Sequence, residues 1–344
     1  MLCIPIIFSL SIILLLVYIL YFTNQWRKLF HHLRLHIYFS ISHAKRHRRQ
    51  GRHIEILYTP IPIPAFGNIL CLDFRNDISQ LAPISPSLLK VVSWNIEMGY
   101  RLDDVILELK RIAPDVLLLQ KADLFDNGRF YSFHTVREIA RALGFSAAFA
   151  GHHPYISHPG RGIWGNAILS HFNIKKKHFL PLKCNGPYER SALIAEVKTG
   201  IGVVDFCSVH LEACCGIEER VKQLRSVIAQ LLRRQEVEIK PVVTGGDLNT
   251  ICNGLVRLSP VHCTDRLRFM TIGMTEAEWW DKNFFSNLPF SDPFCKRKDA
   301  TFKNLFTAAK LDWILVKDLV VVRKEIGTGT QSDHKWISCT ITKY

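Results

Sequence analysis

The chain has 344 residues, long enough for one large domain with an appendage, and 48% hydrophobic against 22% charged residues excludes a disordered polypeptide. The formal charge of +14 points toward anionic partners, yet eight of the 44 basic residues lie between positions 24 and 53. The remainder is close to balanced and by itself is weak evidence for nucleic-acid binding. Ten cysteines occur without a CxxC metal pattern or a recognisable disulfide framework, so neither a zinc module nor a disulfide scaffold is indicated.

The first element is CIPIIFSLSIILLLVYILYF, Cys3 to Phe22, 20 residues without a charge, which matches the hydrocarbon thickness for an α-helix. Residues 1–23 are read as a transmembrane anchor. A cleaved signal peptide would need a basic start and a small-residue cleavage site, and a buried core helix would show an amphipathic face; neither is present. Arg27, Lys28, Arg34, Lys45, Arg46, Arg48, Arg49 and Arg52 follow, with no acid before Glu55. By the positive-inside rule the remaining chain faces the cytosol. The same cluster suits anionic headgroups at about 1 kcal/mol per basic residue; a solvated tether is the alternative. With the proline-rich stretch YTPIPIPAFGNILCLDFRNDISQLAPISPS, this makes residues 24–87 a basic juxtamembrane segment and linker that partly packs on the domain.

Residues 88–344 are read as one folded domain. VVSWN is a strand ending at Asn95, and Leu102, Val105, Ile106 and Leu109 recur at helical spacing before Pro114 ends the helix. The strand Asp115 to Gln120 follows. Further helices are predicted at about 136–143, stopped by Gly144, and at about 218–234, before the strand VVTGGD. Residues 251–300 exceed a simple connection. Trp279 and Trp280 there fit a short packed helix better than base stacking, and Arg257, Arg266 and Arg268 read as solvated surface residues, with a part in choosing a substrate as the alternative that the resemblance named below implies.

The segment VVTGGDLNT, 242–250, carries most of the chemical information. An apolar strand stops at two glycines and presents Asp247 and Asn249, which alternation places on one face. Asp247 can orient or deprotonate a water while Asn249 donates a hydrogen bond to a phosphate oxygen. Its companions are VVSWNIE around Asn95, GNAILS around Asn166, CSVHLE around His210, LDWILV around Asp312, and SDHKW at 332–336. Displacement at phosphorus builds negative charge on non-bridging oxygens, so donors must already be aimed there. A histidine held by a carboxylate keeps its proton and orientation.

In this order the segments resemble the endonuclease/exonuclease/phosphatase superfamily, with the DNase I-like fold. That resemblance implies an α+β protein, a four-layer α/β/β/α sandwich, here with the N-terminal transmembrane helix. It further implies phosphoester hydrolysis, usually with Mg²⁺ or Mn²⁺. Carried over, Asp247 orients the attacking water, Asn249 and Asn166 bind phosphate oxygen, and His210 and His334 steady the phosphoryl charge. Asp312 holds the His334 imidazole, and Asn95 and Asp333 lie near the metal. The relatives implied include sphingomyelinase-like phosphodiesterases, inositol-phosphate phosphatases and a domain of glycosylphosphatidylinositol-lipid remodelling.

Two departures stand out. DVLLLQKAD places Lys121 where the resemblance expects the principal metal-ligand glutamate, and an ammonium cannot ligate Mg²⁺. SAAFAGHHPYISHPGRGIWG, 146–165, contains no acid to pair with His210; its Tyr155 and Arg161 are candidates for phosphate contact, with a solvated loop as the alternative. Three outcomes follow. Lys121 stands in for the metal, Asp123 or a histidine rebuilds a metal site, or the domain binds phosphate without cleaving it. A working phosphoesterase is favoured because the other polar residues are retained. The anchor favours a lipid headgroup as substrate, through its high effective concentration at a bilayer; a nuclease and a catalytically impaired phosphate-binding protein are the alternatives. The oligomeric state is not readable from the sequence.

Overall fold

The computed structural model of the protein describes residues 64–75, 87–126, 132–154, 161–185, 188–251, 265–269, 273–294, 299–303 and 308–344. The expected anchor at 1–23 and the basic run after it lie outside these residues. Among the described residues, no helix is long and apolar enough to cross a membrane.

Two sheets are stacked. The first holds, in spatial order, β1 (Ile69–Asp73), β5 (Ser146–Pro154), β6 (Arg161–Ser170), β3 (Val116–Asp126), β2 (Leu89–Asn95), β15 (Ile337–Thr342) and β14 (Val320–Ile326), with β4 (Ser132–His134) beside β3. The second runs β13 (Asp312–Lys317), β10 (Val242–Asp247), β9 (Gly202–His210), β8 (Arg190–Thr199) and β7 (Ile174–Leu182). A small ribbon pairs β11 (Phe302–Lys303) with β12 (Ala308–Ala309). Each large sheet contains one parallel pair, β2 with β3 and β9 with β10. A parallel pair needs a crossover, supplied by α1 (Leu102–Ile112) in the first sheet and α3 (Ile217–Val237) in the second.

Alternation along the strands sorts their apolar side chains into three cores. Val91, Leu118, Leu193, Phe206, Val243 and Ile314 fill the space between the sheets. Val92, Trp94 and Leu117 face the other way, under Val105 and Leu109 of α1 and Val136 and Ile139 of α2 (Thr135–Leu143). On the second sheet's outer face, Val209 meets Val221, Leu224 and Ile228 of α3 and Trp280 of α4 (Glu276–Asn283). The result is the expected α+β sandwich, helices outside and sheets inside. Central strands buried on both faces explain why VLLL and VVTGG read as near-continuous apolar runs.

The helices follow their sequence signals closely. Helix α2 stops where Gly144 turns left-handed, whereas α1 ends on Ala113, also left-handed at φ 50°, before Pro114. Arg220 of α3 and Glu276 of α4 form a buried bidentate pair at 2.8 and 2.7 Å, and Arg220 Nη1 donates to the Cys215 carbonyl at 2.9 Å, tying the chain after β9 to both helices. Strand β3 runs past the expected end at Gln120 because an irregularity between Leu119 and Ala122 restores pairing with β6. Lys121 occupies that irregularity with φ 50°. Residues 69–73, within the proline-rich stretch, pair with β5 as an edge strand.

Two glycines position the site. A Cβ on Gly246 would lie 1.9 Å from the Val209 carbonyl oxygen, and one on Gly245 would lie 2.7 Å from Leu118 and 3.0 Å from Ser93 of the facing sheet. Their missing side chains let β10 press against β9 and let the sheets close on each other where the polar strand ends emerge.

Candidate active site

Register alone assembles half of the site. Asp247, the last residue of β10, lies opposite His210 at the end of β9 and opposite Asp312 at the start of β13. From the other sheet, β2 ends at Asn95, whose Nδ2 donates to Asp247 Oδ2 at 2.8 Å. His334 precedes β15. Its backbone is held to the end of β2 by Trp94 Nε1 donating to the His334 carbonyl at 3.1 Å and Ser332 Oγ donating to the Asn95 carbonyl at 2.7 Å. Residues 95, 210, 247, 312 and 334, distant in sequence, thereby meet in one buried cluster.

Asp247 Oδ2 is its centre. It receives Asn95 Nδ2, and it lies 3.3 Å from His210 Nε2 and 3.7 Å from His334 Nε2. Its other oxygen accepts the Asn249 backbone N–H at 2.9 Å. The two histidines are electrically different. Burial opposes charge on His334, but Asp312, Asp247 and Asp333 outweigh it and lift its pKa to about 9. Its Nδ1–H donates to Asp312 Oδ2 at 2.8 Å. Asn95 Nδ2 is 3.4 Å from Nε2, and both atoms are donors when the ring is charged. Among the described residues, the Nε2–H therefore has only the longer ion pair to Asp247, and it can donate to an incoming oxyanion. His210 goes the other way: burial, then Arg190, Lys121, His152 and His334, hold it well below the ordinary histidine range, so it is neutral. Burial also raises the proton affinity of Asp247, aided by Asp312 and opposed by His334 and Lys121.

Asn249 and Asp247 are not joined by strand alternation, as the sequence suggests. Strand β10 stops at Asp247, Asn249 turns left-handed at φ 49°, and the bond from its N–H to Asp247 Oδ1 makes the link. Asn249 Nδ2 donates one hydrogen to the Leu211 carbonyl at 2.8 Å. Asn166 is buried on β6 and donates from Nδ2 to the Ser191 carbonyl at 2.7 Å, leaving its Oδ1 without a hydrogen-bond partner among the described residues. Asp333 is exposed next to the buried His334. Tyr155 and the side chain of Arg161 lie outside the described residues.

Two residues that the sequence reading did not single out complete the surroundings of His210. Arg190, the first residue of β8, places Nη1 3.3 Å from both ring nitrogens of His210, and its Nε donates to Glu212 Oε2 at 2.9 Å. The guanidinium stacks 5.0 Å from the Trp164 ring centre. The available signal was an arginine opening an otherwise apolar strand, with a glutamate in HLE for it to meet.

The donor set can be tested against the divalent ion that the resemblance implies. Mg²⁺ and Mn²⁺ favour octahedral oxygen coordination. Lys121 replaces the expected carboxylate, and Asn95 Nδ2 is bonded to Asp247 while its Oδ1 accepts the Glu97 N–H at 3.2 Å. Asp247, Asp312 and His334 are the one group among the described residues with donor atoms close enough to hold a metal, all within 4.8 Å. That group already holds an imidazolium between two carboxylates, with a nitrogen among its three donors. It does not fit an octahedral oxygen-bound ion.

A two-sheet sandwich whose facing strand ends gather two histidines, two aspartates and an asparagine defines the class of phosphate-handling α+β proteins. The sequence profile of the Endonuclease/Exonuclease/phosphatase family matches residues 92–334, and the chain belongs to that family, whose members hydrolyse phosphoesters. Among solved structures it is similar to an endonuclease/exonuclease/phosphatase from Beutenbergia cavernae, at 18% identity, TM-score 0.59, covering 75% of this chain and 72% of that one. A Bacteroides vulgatus endonuclease/exonuclease/phosphatase aligns at 15% identity and TM-score 0.54, over 75% of this chain and all of that one. ANGEL2, a 2',3'-cyclic phosphatase, aligns at 14% identity and TM-score 0.51, over 74% of this chain and 95% of that one. At these identities the likeness is one of fold. No significant match was found among curated protein sequences.

Proposed function

We propose that the chain is a membrane-tethered phosphoesterase that cleaves a phosphodiester of the lipid-headgroup class, with Lys121 supplying positive charge where relatives would place a divalent ion. The observation that carries this reading is the convergence of Asn95, His210 and His334 on a single oxygen of Asp247. Asp247, with its raised proton affinity, takes the proton of the attacking water. As the water oxygen bonds to phosphorus and the bond to the leaving oxygen breaks, charge grows on the non-bridging oxygens. The His334 imidazolium, the neutral His210 N–H and the second hydrogen of Asn249 Nδ2 meet that charge without reorganising. Asp312 preserves the proton and the aim of His334.

The lipid class rests on the sequence. A 20-residue uncharged run followed by eight basic residues supports a tether at an anionic surface, where bilayer substrate is concentrated. It also supports a cytosolic catalytic domain. The test uses full-length protein in vesicles containing a lipid phosphodiester, with bis-p-nitrophenyl phosphate, p-nitrophenyl phosphate, single-stranded DNA and RNA as parallel substrates. Release of headgroup, lost in His334→Ala and insensitive to competing nucleic acid, is the expected result. Salt-steep cleavage of nucleic acid with no lipid turnover would make the chain a nuclease. Absence of hydrolysis across the panel, with or without Mg²⁺ or Mn²⁺, would leave a phosphate-binding protein.

A further inference from the structure

Asn166 is expected from the sequence to donate to a phosphate oxygen, and the structure turns its carboxamide the other way. Along β6, alternation puts Trp164, Asn166 and Ile168 on one face. Ile168 belongs to the core between the sheets, while the Trp164 ring lies 5.8 Å from the His210 ring, centre to centre, and 5.0 Å from the Arg190 guanidinium. Asn166 therefore faces the second sheet at the level where the apolar core gives way to the polar cluster.

Its nitrogen end is committed there. Nδ2 donates to the Ser191 carbonyl of β8 at 2.7 Å, and Ser191 is itself fixed by its Oγ, 2.9 Å from His152 Nδ1. A carbonyl only accepts, so the carboxamide cannot be turned round without setting two oxygens against each other. Oδ1 is the end left over. It is buried, as His210 and Asp247 are, and has no hydrogen-bond partner among the described residues. A buried carbonyl oxygen without a donor is rare in a folded protein and calls for a ligand that supplies one.

That ligand group must donate, which excludes a phosphate oxygen. The surrounding charge requires the donor to be neutral: Lys121 lies in the irregularity of β3 opposite Asn166, and Arg190 adjoins Ser191 in β8. An ammonium brought to Oδ1 would meet cations on two sides. A neutral donor that arrives with a phosphodiester is a hydroxyl of the alcohol esterified to phosphorus. We propose that Asn166 Oδ1 accepts a hydrogen bond from a free hydroxyl of the lipid headgroup, so that the chain selects phosphodiesters of polyhydric alcohols over headgroups that lack a hydroxyl or carry an ammonium. Asn166 is then a specificity-determining residue. This inference rests on the phosphoesterase reading and narrows its substrate.

The experiment presents the full-length protein with phosphatidylglycerol, phosphatidylpropanol or phosphatidylethanolamine at equal mole fraction in phosphatidylcholine vesicles. The first two headgroups share charge and carbon number and differ in their hydroxyls. The expected kcat/KM for phosphatidylglycerol exceeds that for phosphatidylpropanol by about 10²-fold or more. In Asn166→Leu that ratio falls below about threefold, whatever loss the two lipids share. The variant leaves the Ser191 carbonyl unpaired, so the ratio in the parent, which needs no substitution, is measured first. Equal rates on the two lipids in the parent overturn the proposal. So does a preference that survives in Asn166→Leu, phosphatidylethanolamine turned over as fast as phosphatidylglycerol, or cleavage of RNA with no lipid turnover. Hydrolysis of bis-p-nitrophenyl phosphate alongside equal lipid rates would sink the hydroxyl contact and leave the phosphoesterase reading standing. If nothing is hydrolysed, that reading fails, and titration calorimetry with glycerol 3-phosphate and propyl phosphate decides the contact. Binding of the former at least about tenfold tighter, lost in Asn166→Leu, supports it, and equal affinity overturns it.

Discussion

Replacing Asp312 by asparagine tests the electrostatics at the centre of the site. Asp312 is fully buried at the start of β13, and Thr301 Oγ1 accepts its backbone N–H at 3.0 Å, a bond that the substitution leaves in place. The shape is kept and only the charge is removed. His334 is lifted from 6.5 to about 9, which corresponds to roughly 3.4 kcal/mol in favour of the charged ring. With Asp312 neutral, burial is opposed by Asp247 and Asp333 alone, and the pKa is expected to fall to 6.5 or below. At pH 7.5 the protonated fraction then drops from nearly all to under about a tenth. Loss of a held imidazolium lowers kcat by a further factor of about 10² to 10⁴. The assay is kcat/KM for bis-p-nitrophenyl phosphate from pH 5 to 10. The parent should lose activity on an alkaline limb near pH 9, and Asp312→Asn should show that limb shifted down by at least about two units. Stability should follow the same sign. A raised folded pKa stabilises fully below the unfolded value of 6.5, and this is lost as pH rises through about 9. The variant should therefore be less stable than the parent by about 3 kcal/mol at pH 6, and the gap should close above pH 9. An alkaline limb that stays in place in Asp312→Asn would refute the assignment of the charge to His334.

Lys121→Glu restores an oxygen donor at the irregularity in β3, and titration calorimetry should detect Mg²⁺ binding in the variant and none in the parent. The variant should gain Mg²⁺-dependent hydrolysis; loss of all activity would instead give the lysine its own catalytic role. His134 is buried at the start of α2, and burial, reinforced by Arg137, pushes its pKa down to about 3. The unfolded chain takes up a proton below pH 6.5 that the folded one refuses, so stability falls as pH drops from 6.5 toward 3, by about 1.4 kcal/mol per unit. Its Nδ1 caps α2 by accepting the Arg137 N–H at 3.2 Å. His134→Asn keeps a capping acceptor without the titration, and urea unfolding between pH 6.5 and 4.5 should show that much less slope; equal slopes would count against the buried neutral ring.

Much of the fold was legible because it rests on local rules. Apolar spacing from Leu102 to Leu109, and the stops at Pro114 and Gly144, predict helices that the structure places at Leu102–Ile112 and Thr135–Leu143. The polar residues at strand ends were legible as candidates because each interrupts an apolar run. Three features were not. The left-handed turn at Asn249 depends on its bond to Asp247, the extension of β3 depends on its partner β6, and the strand at Ile69–Asp73 depends on the exposed edge of β5. None of these partners is a sequence neighbour.

The sequence by itself determined which chemistry is available: two histidines, the aspartates, the carboxamides and the ammonium of Lys121. Only the tertiary structure decided how that chemistry is polarised. His334 meets Asp312 and His210 meets Arg190 across strands more than a dozen residues apart. Whether each ring carries charge is set by its burial together with its buried partners, which outweigh what the isolated side chain would do in water.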